Sequence, residues 1–259
     1  MNQAERRRFL IKAFLDELSN GDSVRIPEKL AEQRRLLRGL MNVRPAGLPS
    51  AEILRVQDEY LRERNAERGI VHLDSLMQIR PHIFLWQGDI TALACDAIVN
   101  AANSQMTGCW APNHLCIDNC IHTFAGVQLR YECDRLMEAQ GFPEPTGSAK
   151  ITKSYNLPCK YVIHTVGPIA DGRPTATHCD QLAACYRSCY SLAKKQGLQS
   201  IAFCCISTGV FGFPQKQAAE IAIATVSDLI EADSCPLNVV FNVFLDEDAR
   251  IYSKLLASG

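Results

Sequence analysis

Five short runs, at 82–86, 97–100, 161–166, 201–206 and 239–245, are apolar almost without interruption. A strand with one wet face alternates polar and apolar residues, so an unbroken run predicts a strand covered on both faces. Helical patterns near 118–140, 179–197, 214–232 and 246–256 follow these runs in turn. Buried strands alternating with helices predict an α/β fold, a central sheet layered between helices. The segment 149–152 adds a candidate short sixth strand. Ligands of such sheets sit beyond the strand ends, where loops feed helices.

Residues 1–79 read differently, as helices alone. Leu10, Ala13, Phe14 and Leu18 recur at helical spacing, with a stop predicted at Asn20-Gly21. A second stripe follows Pro27 (Leu30, Leu37, Leu40, Met41), and a third follows Pro49-Ser50 (Ile53, Leu54, Tyr60, Leu61). Ser50 can cap that third helix, and Glu52 suits its positive end. The predicted division is a helical extension over 1–79 and an α/β unit over 80–259. Three apolar stripes are costly to leave in water, so the extension is expected to pack on that unit. Its arginines (Arg6, Arg7, Arg8, Arg34, Arg35, Arg38, Arg62, Arg64) are interspersed with Glu5, Glu28, Glu32, Glu59 and Glu63, which reads as a solvated face.

With 27 Lys and Arg against 28 Asp and Glu, the chain lacks the basic excess of a nucleic-acid binder. Its apolar runs are too short to span a bilayer, and no apolar stretch of the secretory kind follows the first arginines. Twelve cysteines in a chain of 259 residues, many within strand and helix patterns, argue against a secreted disulfide scaffold. A reduced, cytoplasmic protein with cysteine as a small buried hydrophobe is expected.

The chemistry concentrates at 109–122, where Cys109, His114 and Cys116 fall within eight residues. Two sulfurs and an imidazole can meet one zinc ion, and three protein ligands leave a fourth position open. Cys120 and His122 are close rivals. The helix is expected to begin near Asp118, leaving the first three ligands on the preceding loop, turning Cys120 into the core and giving His122 a structural hydrogen-bonding role. Further motifs follow the predicted strands, and two of the loops, 100–118 and 206–214, lie at strand-to-helix junctions. Gly88-Asp89-Ile90-Thr91 follows the first run, Asn100-Ala101-Ala102-Asn103 ends the second, and Ser207-Thr208-Gly209-Val210-Phe211-Gly212-Phe213-Pro214 follows the fourth. Paired alanines admit a ligand beside polar asparagines. Glycines ahead of a helix let backbone N–H groups face an anion, and Pro214 suits that helix's first turn.

This set of motifs, with 239–244 as a matching last strand, resembles the macrodomain, an ADP-ribose-binding module, over roughly residues 80–257. The loop bearing Cys109, His114 and Cys116, which replaces the usual glycine-rich stretch, is similar to that of the zinc-containing branch of microbial protein-ADP-ribose hydrolases. The resemblance implies a three-layer α/β/α fold with a mixed central sheet beside the helical extension. It implies that Asp89 accepts from the adenine amino group, that Ile90 adds a backbone contact, and that Ser207, Thr208, Gly209, Val210 and Phe211 form the second ligand loop. Asn103 would touch the distal ribose, and Asp118 would lie at the scissile bond, making these the two catalytic residues. One zinc per chain, on Cys109, His114 and Cys116, would polarise an oxygen or activate water. The implied reaction is hydrolytic removal of ADP-ribose from acidic protein side chains. The implied partners are a sirtuin-type ADP-ribosyltransferase and a lipoyl carrier resembling the glycine-cleavage H protein. Two alternatives stand beside it: a binding module with structural zinc, and a hydrolase of a small ADP-ribose derivative. Metal-dependent turnover separates them.

Overall fold

The computed structural model describes residues 1–18 and 25–257. The stop predicted at Asn20-Gly21 lies outside the described residues. Nine strands are present among them: β1 (Val71–His72), β2 (Gln78–Arg80), β3 (Ile83–Gln87), β4 (Leu93–Ala94), β5 (Ala97–Ala102), β6 (Ala149–Lys153), β7 (Tyr161–Val166), β8 (Ser200–Phe203) and β9 (Asn238–Val243). Seven form one sheet in the order β2-β3-β9-β8-β5-β7-β6, while β1 and β4 pair separately. The five predicted runs are its parallel strands, and the antiparallel β2 and β6 close its edges. The central strands β5, β7, β8 and β9 are buried almost throughout, which is why their sequences do not alternate. Two runs end sooner than expected. β8 stops at Phe203, and β9 stops at Val243, leaving Phe244 and Leu245 exposed.

Helices cover both faces. α4 (Ile117–Ala125) and α5 (Val127–Gln140) pack against β5 and β6, whereas α6 (Ala176–Lys195), α7 (Gln215–Ala232) and α8 (Asp246–Ala257) pack in succession. The pattern read as a single helix over 118–140 is two helices, because Gly126 adopts φ +104 between them. A side chain there would be strained and would strike Gln57 and Gln128, with atoms only 2.8 Å from a Cβ.

The N-terminal helices α1 (Gln3–Leu18), α2 (Leu30–Val43) and α3 (Ala51–Glu67) build a second core. Leu10, Ile11, Phe14, Leu37, Leu40, Met41, Val56, Tyr60 and Leu61 pack together and onto Val127 of α5. Leu18 and Leu30, placed on the apolar stripes by spacing, are exposed instead, and Ile11 and Val56 are buried. Ser50 does cap α3, accepting from the Ile53 N–H. The seam with the sheet unit is polar as well as apolar. Gln57 accepts from the Val127 N–H at 3.1 Å and donates to Gln128 Oε1 at 2.6 Å, and Asn65 donates to the Asn156 carbonyl at 2.7 Å. Past α3 the chain joins the sheets through β1 and β2, so the predicted boundary at 79 falls within β2.

Candidate functional site

Parallel pairing of β5 with β7 sets Asn100 beside His164, at the end of the strand from which Asn103 leaves. Asn100 Nδ2 donates to Asp118 Oδ1 at 2.8 Å, and Asn103 Nδ2 lies 3.4 Å from Asp118 Oδ2. Both asparagines of the Asn-Ala-Ala-Asn motif therefore hold one carboxylate in the first turn of α4. Burial pushes the Asp118 carboxyl up to about 6, while the Asn100 hydrogen bond and the Arg130 charge oppose that rise. A carboxyl so placed is poised between its charged and neutral forms near neutral pH, which suits acid–base work.

His122 lies one turn along α4, with Nε2 3.6 Å from Asp118 Oδ1. It was expected to hydrogen-bond, yet neither ring nitrogen has a partner. Burial, the neighbouring His164 and Arg130 hold it neutral. His164 is also neutral, lowered by burial to about 3, and bridges Asn100 Nδ2 at 3.1 Å and Thr152 Oγ1 at 2.9 Å. His122, Cys133 and His164 form a buried trio, but His164 already uses both ring nitrogens in these contacts.

Cys109, His114 and Cys116 are brought together as expected. Their donor atoms lie within 4.8 Å of one another, with Cys109 Sγ 3.6 Å from His114 Nδ1. Cys116 is the N-cap of α4, its sulfur accepting from the Asn119 N–H, so the trio ends where the helix begins. Burial and the adjacent Cys109 push the Cys116 thiol up to about 12. Two thiolates and an imidazole are the donor set zinc prefers, and these residues fit that ion. Cys120 was expected to face the core. It is half-buried, its sulfur 3.4 Å from Arg38 Nη2 of α2, because α4 turns this side toward the N-terminal helices.

The loop 207–212 has the form of an anion cradle. Ser207 takes a positive φ of 65°, and its buried Oγ has no partner. Among the described residues the N–H groups of Gly209, Val210 and Phe211 donate to no acceptor, while the Phe211 carbonyl is tied to Ala170 at 2.8 Å. Consecutive unpaired N–H groups ahead of a helix favour a phosphate. Pro214 sits one position earlier than expected, as the N-cap of α7 rather than within its first turn. Gly167 faces this loop so closely that a Cβ there would lie 2.1 Å from Ser207 Oγ.

At the other end of the site, Asp89 caps the short 3₁₀ turn Ile90–Ala92 by accepting from the Thr91 N–H. Ile90 is buried, and its N–H donates to nothing among the described residues. Asp89 also pairs with Arg68, which follows α3 and stacks 3.5 Å from the Phe124 ring centroid. Sequence reasoning missed Arg68, Arg38 and Arg130, three arginines that meet the site from a distance. Of the three only Arg38 belongs to the arginine-rich pattern of residues 1–79, and there it reads as part of a solvated face.

A cleft of about 440 Å³ lined by Arg34, Arg38, Tyr60, Arg64, Leu115 and Phe124 opens between the N-terminal helices and α4. Its lining includes neither Asp118 nor the 207–212 loop, so it lies apart from the polar groups above.

Residues 99–222 match the Macro domain model. A relative named Protein-ADP-ribose hydrolase from Treponema medium is 55% identical over 99% of this chain and 100% of its own length. One of the same name from Staphylococcus aureus (strain MRSA252) is 49% identical over 96% of this chain and 94% of that relative. The Trypanosoma brucei macrodomain solved in complex with ADP-ribose superposes with a TM-score of 0.66 at 32% identity, covering 89% of this chain and 97% of that one. The fold, the motif loops and these full-length matches agree: the chain belongs to the macrodomain family.

Proposed function

We propose that this protein removes ADP-ribose from modified protein side chains by hydrolysis, with the zinc-dependent, acidic-residue chemistry that its motifs suggest. The observation that carries the reading is the buried Asp118 carboxylate, gripped by Asn100 and Asn103 at the start of the helix that Cys116 caps. In this reading Asp89 and the Ile90 N–H take the adenine, and the 207–211 loop takes the diphosphate through its unpaired N–H groups and the free Ser207 hydroxyl. Phe211 flanks the distal ribose. Asn103 orients that ribose, and Asp118 orients the attacking water and accepts its proton. Its burial keeps its pKa close enough to neutrality for that transfer. Zinc on Cys109, His114 and Cys116 would supply Lewis-acid polarisation or a more acidic water when bound. The names carried by the Treponema and Staphylococcus relatives support the reaction class.

The finer parts rest on the motif resemblance: an aspartyl or glutamyl linkage, a lipoyl-carrier substrate and pairing with a sirtuin-type transferase. Cytoplasmic placement is supported by cysteines used as buried thiols, such as Cys133, Cys185 and Cys189. Among the described residues no helix is long and apolar enough to cross a membrane.

The test is Asp118→Ala in protein shown to be folded. Turnover of ADP-ribosylated protein should disappear while ADP-ribose affinity stays within about tenfold, roughly 1.4 kcal/mol, because groups that act in the transition state set rate more than affinity. A folded variant that hydrolyses substrate at the unaltered rate would sink the assignment.

A further inference from the structure

The three proposed zinc ligands sit on a loop whose outer side is held by the N-terminal helices. His114 is exposed, so burial does not fix its ring. Its direction depends on the backbone at 113–114, and the side chains binding that backbone belong to α2. Asn42 Oδ1 accepts from the Asn113 N–H at 2.9 Å, and Arg38 Nη2 donates to the His114 carbonyl at 2.7 Å. Asn113 adopts φ 59°, a conformation an asparagine tolerates but which needs holding. The loop presses on the α2 backbone itself, since a Cβ on Gly39 would lie 3.0 Å from Asn113 Nδ2.

The same arginine reaches the other end of the trio. Arg38 Nη2 donates to Asn119 Oδ1 at 2.9 Å, and Asn119 in turn donates to the Ala111 carbonyl at 3.0 Å and through its N–H to Cys116 Sγ at 3.4 Å. Arg130 completes the clamp from α5. Its buried guanidinium donates to the carbonyls of Asn42 (2.7 Å), Arg44 (2.8 Å) and Thr107 (2.8 Å), and it stacks 4.0 Å from the Trp110 ring centroid beside Cys109.

We infer that Arg38 of the N-terminal extension is a positioning residue for the metal loop, fixing the backbone at His114 and, through Asn119, the Cys116 end, and so setting how tightly zinc is held. The inference rests on the zinc reading above and adds to it a role for the extension, which carries none of the ligands. Groups that orient metal ligands through a second layer of hydrogen bonds typically govern affinity by ten- to a hundredfold. Here that layer comes from a separate helical unit.

The test uses full-length protein loaded with zinc, titrated with a colorimetric chelator to give zinc affinity and release rate. Arg38→Met keeps the aliphatic stem and removes the fork, and Arg38→Gln keeps a polar end. Arg35→Ala, exposed on the same helix, is the control. Melting of the metal-free proteins reports folding apart from the metal. The expected result is on the order of tenfold weaker zinc binding and faster release in both Arg38 variants. The loss of zinc affinity should exceed any fall in metal-free stability, and the Arg35 variant should be unchanged throughout. Wild type that holds zinc, with Arg38 variants that hold it equally well, overturns this inference alone. Wild type that binds no zinc overturns the zinc reading and the inference together.

Discussion

Gly167→Ala tests the ligand loop without touching any residue assigned to it. Gly167 does not need a positive φ, so the backbone itself accepts alanine. The new Cβ, however, would stand 2.1 Å from Ser207 Oγ and 2.9 Å from Ile206 Cγ2, against 3.4 Å from Ser207 Cβ, which is ordinary contact. The serine hydroxyl must therefore leave its present position, while the loop backbone can stay. The cost to folding is that of one displaced rotamer and one tight methyl, about 1–2 kcal/mol. The cost to ligand binding is larger in proportion. If Ser207 Oγ donates to the diphosphate, one hydrogen bond to a charged group is lost, about 1.5–3 kcal/mol, or roughly ten- to a hundredfold in affinity. Isothermal titration with ADP-ribose reads this directly. Ser207→Ala should cost a similar amount, and the double variant should be little worse than either single one, because both remove the same bond. Wild-type affinity in a folded Gly167→Ala protein, or full additivity in the double variant, would mean that the Ser207 hydroxyl does not hold the diphosphate.

Stability should depend on pH through His164. Its folded pKa, about 3, lies below the ordinary imidazole value, so the unfolded chain binds the extra proton and stability falls as pH drops below about 6.5. Between pH 7.5 and 4.5 this group should contribute about 2–3 kcal/mol, read by urea unfolding as the difference in pH dependence between wild type and a folded His164→Gln variant, since the raised carboxyl of Asp118 works in the opposite sense; the same pH dependence in both proteins would contradict its buried neutral state. At the seam of the N-terminal helices, Gln57→Ala removes the acceptor of the Val127 N–H and the donor to Gln128. Leaving that buried N–H unpaired should cost about 1–3 kcal/mol, a fall in Tm of several degrees, and an unchanged Tm would mean the seam is not built as described.

The parts of the molecule legible from sequence are those where one short stretch carries the whole signal. The buried strands announce themselves because both faces are covered. The cysteine–histidine trio does so because its ligands share one loop. β1, β2 and β4 were missed, being two or three residues long and lying outside any apolar run. The break at Gly126 was missed because the apolar pattern continues across it, and only the φ of one residue interrupts the helix. At the site, the Asp118 grip was half visible, since its partners lie in a motif whose contact with the helix depends on strand pairing. The arginines were invisible in their roles. Arg68 reaches Asp89 and Arg38 reaches His114 across helices whose placement no local pattern specifies. Their interspersed acids favour the reading of a solvated face, and Arg35 is exposed as that reading expects, but Arg7 is buried and donates to Gln33.

If Asp118 and a metal held by Cys109, His114 and Cys116 together hydrolyse ADP-ribose from protein, turnover must follow the metal. The most direct measurement is release of ADP-ribose from aspartate- or glutamate-modified protein by the full chain, as purified, after chelation, and after zinc is restored. The expected result is about one zinc per chain, loss of turnover on chelation, and recovery on adding zinc back, with Cys116→Ala neither binding zinc nor recovering. Undiminished turnover in protein shown by elemental analysis to be free of metal would contradict it.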